Sequence, residues 1–176
     1  MVFTHDTELA LQAAVTLANS ALEPDTLTSV ADLDRIWDFY GYTGSHQRTR
    51  AELDAVRGVR PRLIALLTAE RDGAVHLVNQ MLREARAVPQ LTRHDDFDWH
   101  IHAIEPEAPL DIRILVETAM AMIDVIRADE MSRLSVCADA TCEGVVLDLS
   151  RNRSRRFCST ACGNRNAVAA YRARQK

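Results

Sequence analysis

The placement of cysteine constrains this chain more than any other feature. All four cysteines lie in the last forty residues, at Cys137, Cys142, Cys158 and Cys162. They form two close pairs separated by fifteen residues, the spacing of a four-thiolate metal site in which each pair holds the ion from a tight turn. A soft, tetrahedral sulfur set favours zinc, with iron as the main competitor. The sequence therefore predicts one structural zinc ion in this segment.

Disulfides or unrelated buried thiols would be the alternatives to a metal site. Disulfides need an oxidising compartment, but the first residues have neither the cationic nor the apolar part of an export signal. Four unrelated buried thiols would rarely fall into two close pairs in a quarter of the chain. We therefore expect reduced cysteines and a cytoplasmic protein.

Length and composition indicate a globular protein. A chain of 176 residues with 47% apolar residues can form one ordinary core and a small appended module. The longest apolar run, residues 112–126, is interrupted by charged side chains and is shorter than the ~20 residues that span a bilayer. We expect no membrane partner.

Charge is divided sharply along the chain. Residues 151–176 carry eight basic side chains and no acid, whereas the other 150 residues carry 13 arginines and all 25 acids, hence −12. Such asymmetry is typical of a polyanion-binding end, although a basic tail can also be solvated or dock on its own acidic body. The side chains expected to meet nucleic acid are Arg151, Arg153, Arg155, Arg156, Arg165 and Arg172. Arg165 could instead stabilise the fold of this C-terminal segment, and Arg155 or Arg156 could pair with Asp148.

The first 130 residues read as mainly helical. Apolar residues recur at helical spacing over 6–22, 49–70 and about 110–128, and a short helix is predicted between an N-cap at Ser29 and Gly41. Pro61 predicts a kink or break near Arg60, and Asp72 is a candidate cap for a further helix. The N-terminal part is therefore expected to be a helical domain.

Residues 88–104 have the alternation of a short β-hairpin. In its second strand Trp99 and Ile101 alternate with His100 and His102, so one pair should be buried and the other exposed. We expect the aromatic and aliphatic pair to be buried and the two histidines to face solvent. The acids Asp95, Asp96 and Asp98 are interpreted as part of a turn.

The C-terminal module has the layout of a treble-clef-like finger. Residues 137–144 fit a metal knuckle, residues 145–149 a strand, residues 150–154 a turn, and residues 155–157 a returning strand. Ser159 is placed to cap a helix from about 160 to 174, with Cys162 in its first turn. The predicted fold class is mainly α with a small β-hairpin (α+β), a helical N-terminal domain being followed by this finger.

The run from Asp148 to Arg165, DLSRNRSRRFCSTACGNR, resembles the CGNR zinc-finger family, named for its last four letters. The resemblance covers about residues 134–174. In that family an ABATE domain usually precedes the finger, and residues 1–130 are similar to one in length and helical layout. The resemblance implies a stress-induced bacterial transcription regulator whose finger, residues 134–176, binds DNA.

The sequence alone is compatible with several kinds of partner. RNA or an acidic protein surface would suit the same arginines, a homodimer would supply the base contacts that one small finger lacks, and the helical domain could enclose a small molecule. A zinc ion held by four thiolates has no open position for water, so we do not expect an enzyme.

Overall fold

A computed structural model describes residues 2–93 and 99–175. Within these ranges, five helices precede the cysteine-rich segment: α1 (His5–Asn19), α2 (Val30–Tyr40), α3 (Arg50–Leu67), α4 (Arg71–Glu84) and α5 (Leu110–Arg127). A 3-10 turn (Met131–Arg133) leads to the strands β3 (Leu134–Val136) and β4 (Val145–Leu147), and α6 (Thr160–Arg174) follows. Between α4 and α5 lie β1 (Gln90–Thr92) and β2 (His100–His102). The mainly α fold class is confirmed.

Local sequence explains most helix ends. The Ser29 side chain accepts a hydrogen bond from the Asp32 amide while the Asp32 carboxylate accepts one from the Ser29 amide, so the predicted cap is a full capping box. Gly41 ends α2 with a φ of 64°, the left-handed conformation that glycine adopts without strain. The predicted Asp72 cap is wrong, because α4 begins earlier with Glu70 at its N-cap.

Pro61 lies inside α3, which continues through it. Proline has no amide hydrogen to donate to the carbonyl of Arg57 four residues earlier. The Arg60 side chain donates to that carbonyl instead, with its Nε 3.3 Å from the oxygen. The predicted break is therefore absent, and the carbonyl that proline leaves without a backbone donor accepts from a side chain instead. The kink stays a prediction.

The core lies between α1, α3 and α5, with α2 and α4 packed around them. Its fully buried side chains include Leu11, Leu17, Leu53, Leu63 and Ile114. The same apolar cluster contains Leu134, Val145 and Leu147 from the β3–β4 hairpin. The cysteine-rich segment is therefore joined to the helical body by shared core packing.

A polar clamp reinforces that junction. The side-chain amide of Asn19, the last residue of α1, donates to the Val145 carbonyl at 2.8 Å and accepts from the Val145 amide at 2.7 Å. These two bonds satisfy backbone groups on β4. The end of α1 and the start of β4 are thus fixed together.

Two strand predictions are wrong in detail. The partner of β4 is β3, with Leu134 opposite Leu147, and residues 155–157 form no strand. In the other hairpin Trp99 is 64% exposed and Ile101 48% exposed, whereas His100 and His102 are half-buried. The hairpin presents its histidine face to the body, opposite to the expected orientation. The predicted turn acids Asp95, Asp96 and Asp98 lie outside the described residues.

Candidate metal centre

The structure brings the four cysteine sulfurs together. All four Sγ atoms lie within 4.8 Å of one another, with Cys142 and Cys158 3.5 Å apart and Cys158 and Cys162 3.8 Å apart. Four sulfurs at ~2.3 Å from a tetrahedral zinc have edges of about 3.8 Å, so the spacing fits the ion. A disulfide would need about 2.05 Å, and all four cysteines are free. The predicted structural zinc site is confirmed.

Backbone hydrogen bonds shape the turn that carries the first pair. The Cys137 amide donates to the Gly144 carbonyl at 2.7 Å, and the Cys142 amide donates to the Asp139 carbonyl at 2.9 Å. The Ala138 amide donates to the Arg156 carbonyl at 2.8 Å, which ties this turn to the segment before Cys158. The two halves of the site are therefore held at a fixed separation.

The second pair is placed by the start of α6. Ser159 is the N-cap, as predicted, and its hydroxyl accepts from the Cys162 amide at 3.3 Å. Cys162 thus lies in the first turn, where the positive end of the helix dipole favours a thiolate.

Donors surround the sulfurs. The amides of Gly144 and Cys158 lie 3.4 Å from the sulfurs of Cys142 and Cys137, and Arg165 Nη2 lies 3.3 Å from the sulfur of Cys162. Four thiolates on one Zn²⁺ leave a net charge of −2, which such donors offset. Without a cation, burial raises the pKa of the Cys158 thiol to about 12. A bound metal ion acts in the opposite direction, since it binds the thiolate and favours loss of the proton.

Asp139 connects the two halves of the site. Its Oδ2 accepts from Arg165 Nε at 2.7 Å and from the Asn166 side-chain amide at 2.8 Å, while Oδ1 accepts from the Thr141 amide and hydroxyl. The residue is 4% exposed, and its hydrogen bond with Arg165 is the largest of the contacts that lower its pKa to about 2. Asp139 thus fixes α6 against the cysteine turn.

Removing this carboxylate should weaken the metal site. In Asp139→Ala, Arg165 and Asn166 lose their shared acceptor, and we expect zinc affinity to fall by about 10- to 100-fold, the usual effect of losing an outer partner of a ligand. Competition with a chromophoric chelator measures this affinity. The matched control is Glu143→Ala, which removes an exposed acid beside Cys142 that has no hydrogen bond among the described residues. An unchanged affinity in Asp139→Ala would contradict the assigned role.

Three of the six arginines expected to meet nucleic acid have partners within the protein. Arg165 bonds Asp139, and Arg153 donates to Glu130 at 2.9 Å and to the Ser132 hydroxyl at 2.8 Å. The Arg155 guanidinium lies 3.2 Å from the carbonyl of Cys158 and 3.4 Å from that of Phe157. These side chains order the finger, although all three residues remain exposed.

The other three have no such partner. Arg151, Arg156 and Arg172 are exposed, and their side chains make no hydrogen bond or ion pair with any described residue. The expected pairing of Arg155 or Arg156 with Asp148 takes another form, since Asp148 Oδ2 accepts from the Arg155 backbone amide at 2.6 Å. Guanidinium groups without a protein partner are the ones available to an external anion.

Sequence reasoning missed the residues that hold the finger in place. Asp139 lies two residues before Thr141, the spacing of an Asx-turn, in which an aspartate side chain accepts from the backbone amide two residues later. This local signal could have been recognised. Arg133 is 6% exposed and donates to the carbonyls of Asp148 and Ser150, at 2.9 and 3.0 Å. No motif marks Arg133 or Asn19, because their partners depend on tertiary packing.

Two family models match the chain. Residues 133–175 match the CGNR zinc finger, and residues 11–129 match the ABATE family model, described as "Putative stress-induced transcription regulator". No curated protein matches the chain. Within the described residues, the helices are too short or too polar to cross a membrane.

Proposed function

Because the chain belongs to the ABATE family and carries a CGNR zinc finger, we propose that it regulates transcription by binding DNA through that finger. The zinc ion has a structural part in this proposal, since four thiolates complete its coordination. Free thiols suit the cytoplasm, where such a regulator would meet DNA.

The observation that carries the proposal is the set of unpaired arginines on the finger. Arg151, Arg156 and Arg172 are exposed in a segment that contains no acid after Asp148. Arginine donates two parallel hydrogen bonds to phosphate, and a guanidinium already paired within the protein would first have to release its partner. We assign these three to phosphate contact. The main role assigned to Arg153, Arg155 and Arg165 is to hold the surface of the finger in place.

The second half of α6 supports the same conclusion. Every residue from 167 to 175 is exposed, including Val168 at 48% and Tyr171 at 58%. A short helix without packing is marginally stable in water, so a binding partner that covers it would add to its order. Arg172, one of the three assigned to phosphate, lies on the same helix face as Arg165 and two turns beyond it, about 10 Å along the axis. A helix of this kind can lie against a DNA groove, and two copies would be needed to read an extended site.

Salt dependence of duplex binding tests the proposal. If three to four phosphates are contacted, log K should fall against log salt concentration with a slope of about −3 to −4. In Arg151→Ala with Arg156→Ala the slope should flatten by about 2, while the zinc content stays at one ion. Fluorescence anisotropy of a labelled duplex of about 20 base pairs, titrated with zinc-loaded protein at several salt concentrations, measures the slope, and elemental analysis measures the zinc.

The control is Arg83→Ala, an exposed arginine on α4 that should leave the slope unchanged. Absence of duplex binding at low salt would contradict DNA as the partner. Tighter binding to single-stranded RNA of equal length would assign the arginines to RNA. Capture of an acidic protein only by the intact finger, with neither nucleic acid bound, would assign them to a protein surface.

A further inference from the structure

A pocket of about 250 Å³ opens in the helical body, away from the zinc site. It lies between α1, the end of α2, β2 and α5, and its apolar wall includes Leu9, Ala10 and Met120. A volume of this size equals about eight water molecules, since each water occupies about 30 Å³. The pocket is therefore suited to a compact organic molecule.

An acidic side chain without a hydrogen-bonding partner among the described residues faces this pocket. Glu117 lies in α5 and lines the cavity, and its side chain makes no hydrogen bond or ion pair with any described residue. Arg113, one turn earlier on the same helix, attracts this carboxyl electrostatically but donates its hydrogen bonds to the carbonyls of Thr43, Ser45 and Ala108. Burial raises the pKa of the Glu117 carboxyl to about 7. Glu117 is half-buried and lines the pocket, so a donor that enters the pocket can reach its carboxyl.

The charge around the pocket is predominantly negative. Asp6 and Asp124 also line it, Asp124 accepting from the Thr7 hydroxyl at 2.6 Å, against one arginine, the exposed Arg127. His100 and His102 also line the pocket, with their Nε2 atoms 2.9 Å apart. Among the described residues that line the pocket, three acids therefore face one arginine and the two histidines.

From this cavity, its apolar wall and the acidic side chains that line it, we propose that the pocket binds a small organic cation, an ammonium group attached to an apolar body. The ammonium contacts Glu117, and the apolar part packs against α1 and Met120. A charge-assisted hydrogen bond in a site partly closed to water supplies the selectivity for a cation over a neutral analogue. The proposal is independent of the finger and of its partner.

Three probes of matched shape test it: phenethylammonium, 2-phenylethanol and 3-phenylpropanoate. Titration calorimetry with the full, zinc-loaded chain should show binding of the ammonium and at least roughly tenfold weaker binding of the alcohol and the carboxylate. The methyl resonance of Met120 should shift with the ammonium, which places the probe in the pocket. Preference for the carboxylate, equal binding of the alcohol, or no shift at Met120 would overturn the proposal.

Two variants and a control sharpen the test. Glu117→Gln keeps the shape but removes the charge, and it should weaken ammonium binding about tenfold or more while the alcohol is unaffected. Ala10→Leu adds bulk to the wall and should weaken all binding, and circular dichroism checks that both variants are folded. The control Asp72→Asn removes an exposed acid from α4 outside the pocket lining and should change nothing. Full affinity for phenethylammonium in Glu117→Gln would also overturn the proposal.

Discussion

Replacing Cys158 with serine should abolish stoichiometric zinc and leave α6 without stable structure. The Cys158 sulfur lies 3.5 Å from that of Cys142 and 3.8 Å from that of Cys162, so it joins the two halves of the site. Zinc contributes about 10–16 kcal/mol of apparent binding free energy to small finger peptides at neutral pH. Within α6 only Cys162 is buried, so apolar packing does not replace that contribution.

The helical body should survive this change with reduced stability. Leu134, Val145 and Leu147 belong to the body's own apolar cluster, and disorder of the finger weakens their packing. If that weakening costs about 2 kcal/mol, the Tm of a chain of this size falls by roughly 4–8 °C. The loss of structure should therefore be complete in α6, whereas the core should stay folded and lose only part of its stability.

Elemental analysis and amide hydrogen exchange measure the two effects together. Protection should disappear in α6 and persist in α1, α3 and α5, and chelation of zinc from the unaltered protein should reproduce the pattern. The control is Ser154→Ala, which changes an exposed side chain of the finger that makes no hydrogen bond with any described residue. Protected amides in α6 of the metal-free protein would contradict the dependence of the finger on zinc.

The parts of the structure that can be predicted from the sequence are those set by chemistry within a few residues. The serine caps of α2 and α6 and Gly41 at the end of α2 each act through neighbours four residues away or fewer. The zinc site is predictable for a related reason, since four thiolates around a tetrahedral ion must converge on one point. The two cysteine pairs are far apart in the sequence, and their need to reach the same ion predicts that they lie close together in the fold.

The wrong predictions concern features that are set by contacts between residues far apart in the sequence. Alternation in residues 99–102 distinguishes two faces of a strand but does not say which one is buried, and a shift of one residue exchanges them. The partner of β4 is misassigned because residues 150–154 have turn chemistry. In the structure the Asp148 carboxylate accepts from the amides of Ser150 and Arg155 and orders that segment without a hairpin. Residues 134–136 pair with β4 instead. This pairing depends on how the helical body packs against the finger, which the local sequence does not show.

A single methyl group at position 144 should also disrupt the zinc site. A Cβ added to Gly144 would lie 2.8 Å from the Cys158 sulfur, closer than atoms in contact allow, and 3.1 Å from Leu22 Cδ1, a tight contact from which the leucine would have to shift slightly. In the zinc-bound protein the sulfur is held by the metal and cannot move aside, so Gly144→Ala must shift either the ligand or the turn. The requirement for glycine here comes from close approach, since its φ is not in the left-handed region.

We expect Gly144→Ala to lower zinc affinity by at least about tenfold and the free energy of unfolding by about 1–3 kcal/mol, the usual cost of overpacking. Chelator competition and thermal unfolding of the zinc-loaded protein measure these quantities. Gly163→Ala is a matched control in α6, because its added Cβ would lie 3.6 Å from Phe157, an ordinary contact. There, alanine should be neutral or stabilising, since it favours the helix by up to about 1 kcal/mol over glycine.

The comparison of the two variants separates steric effects at the metal from general effects of losing a glycine. Both changes add one methyl group, and both lie near a cysteine ligand, next to Cys162 in one case and against the Cys158 sulfur in the other. Equal zinc affinity in the two variants would show that the turn at position 144 can move away from the metal. A selective loss in Gly144→Ala would show that the cysteine turn is packed against the ion without free space, as expected for a site whose metal is structural.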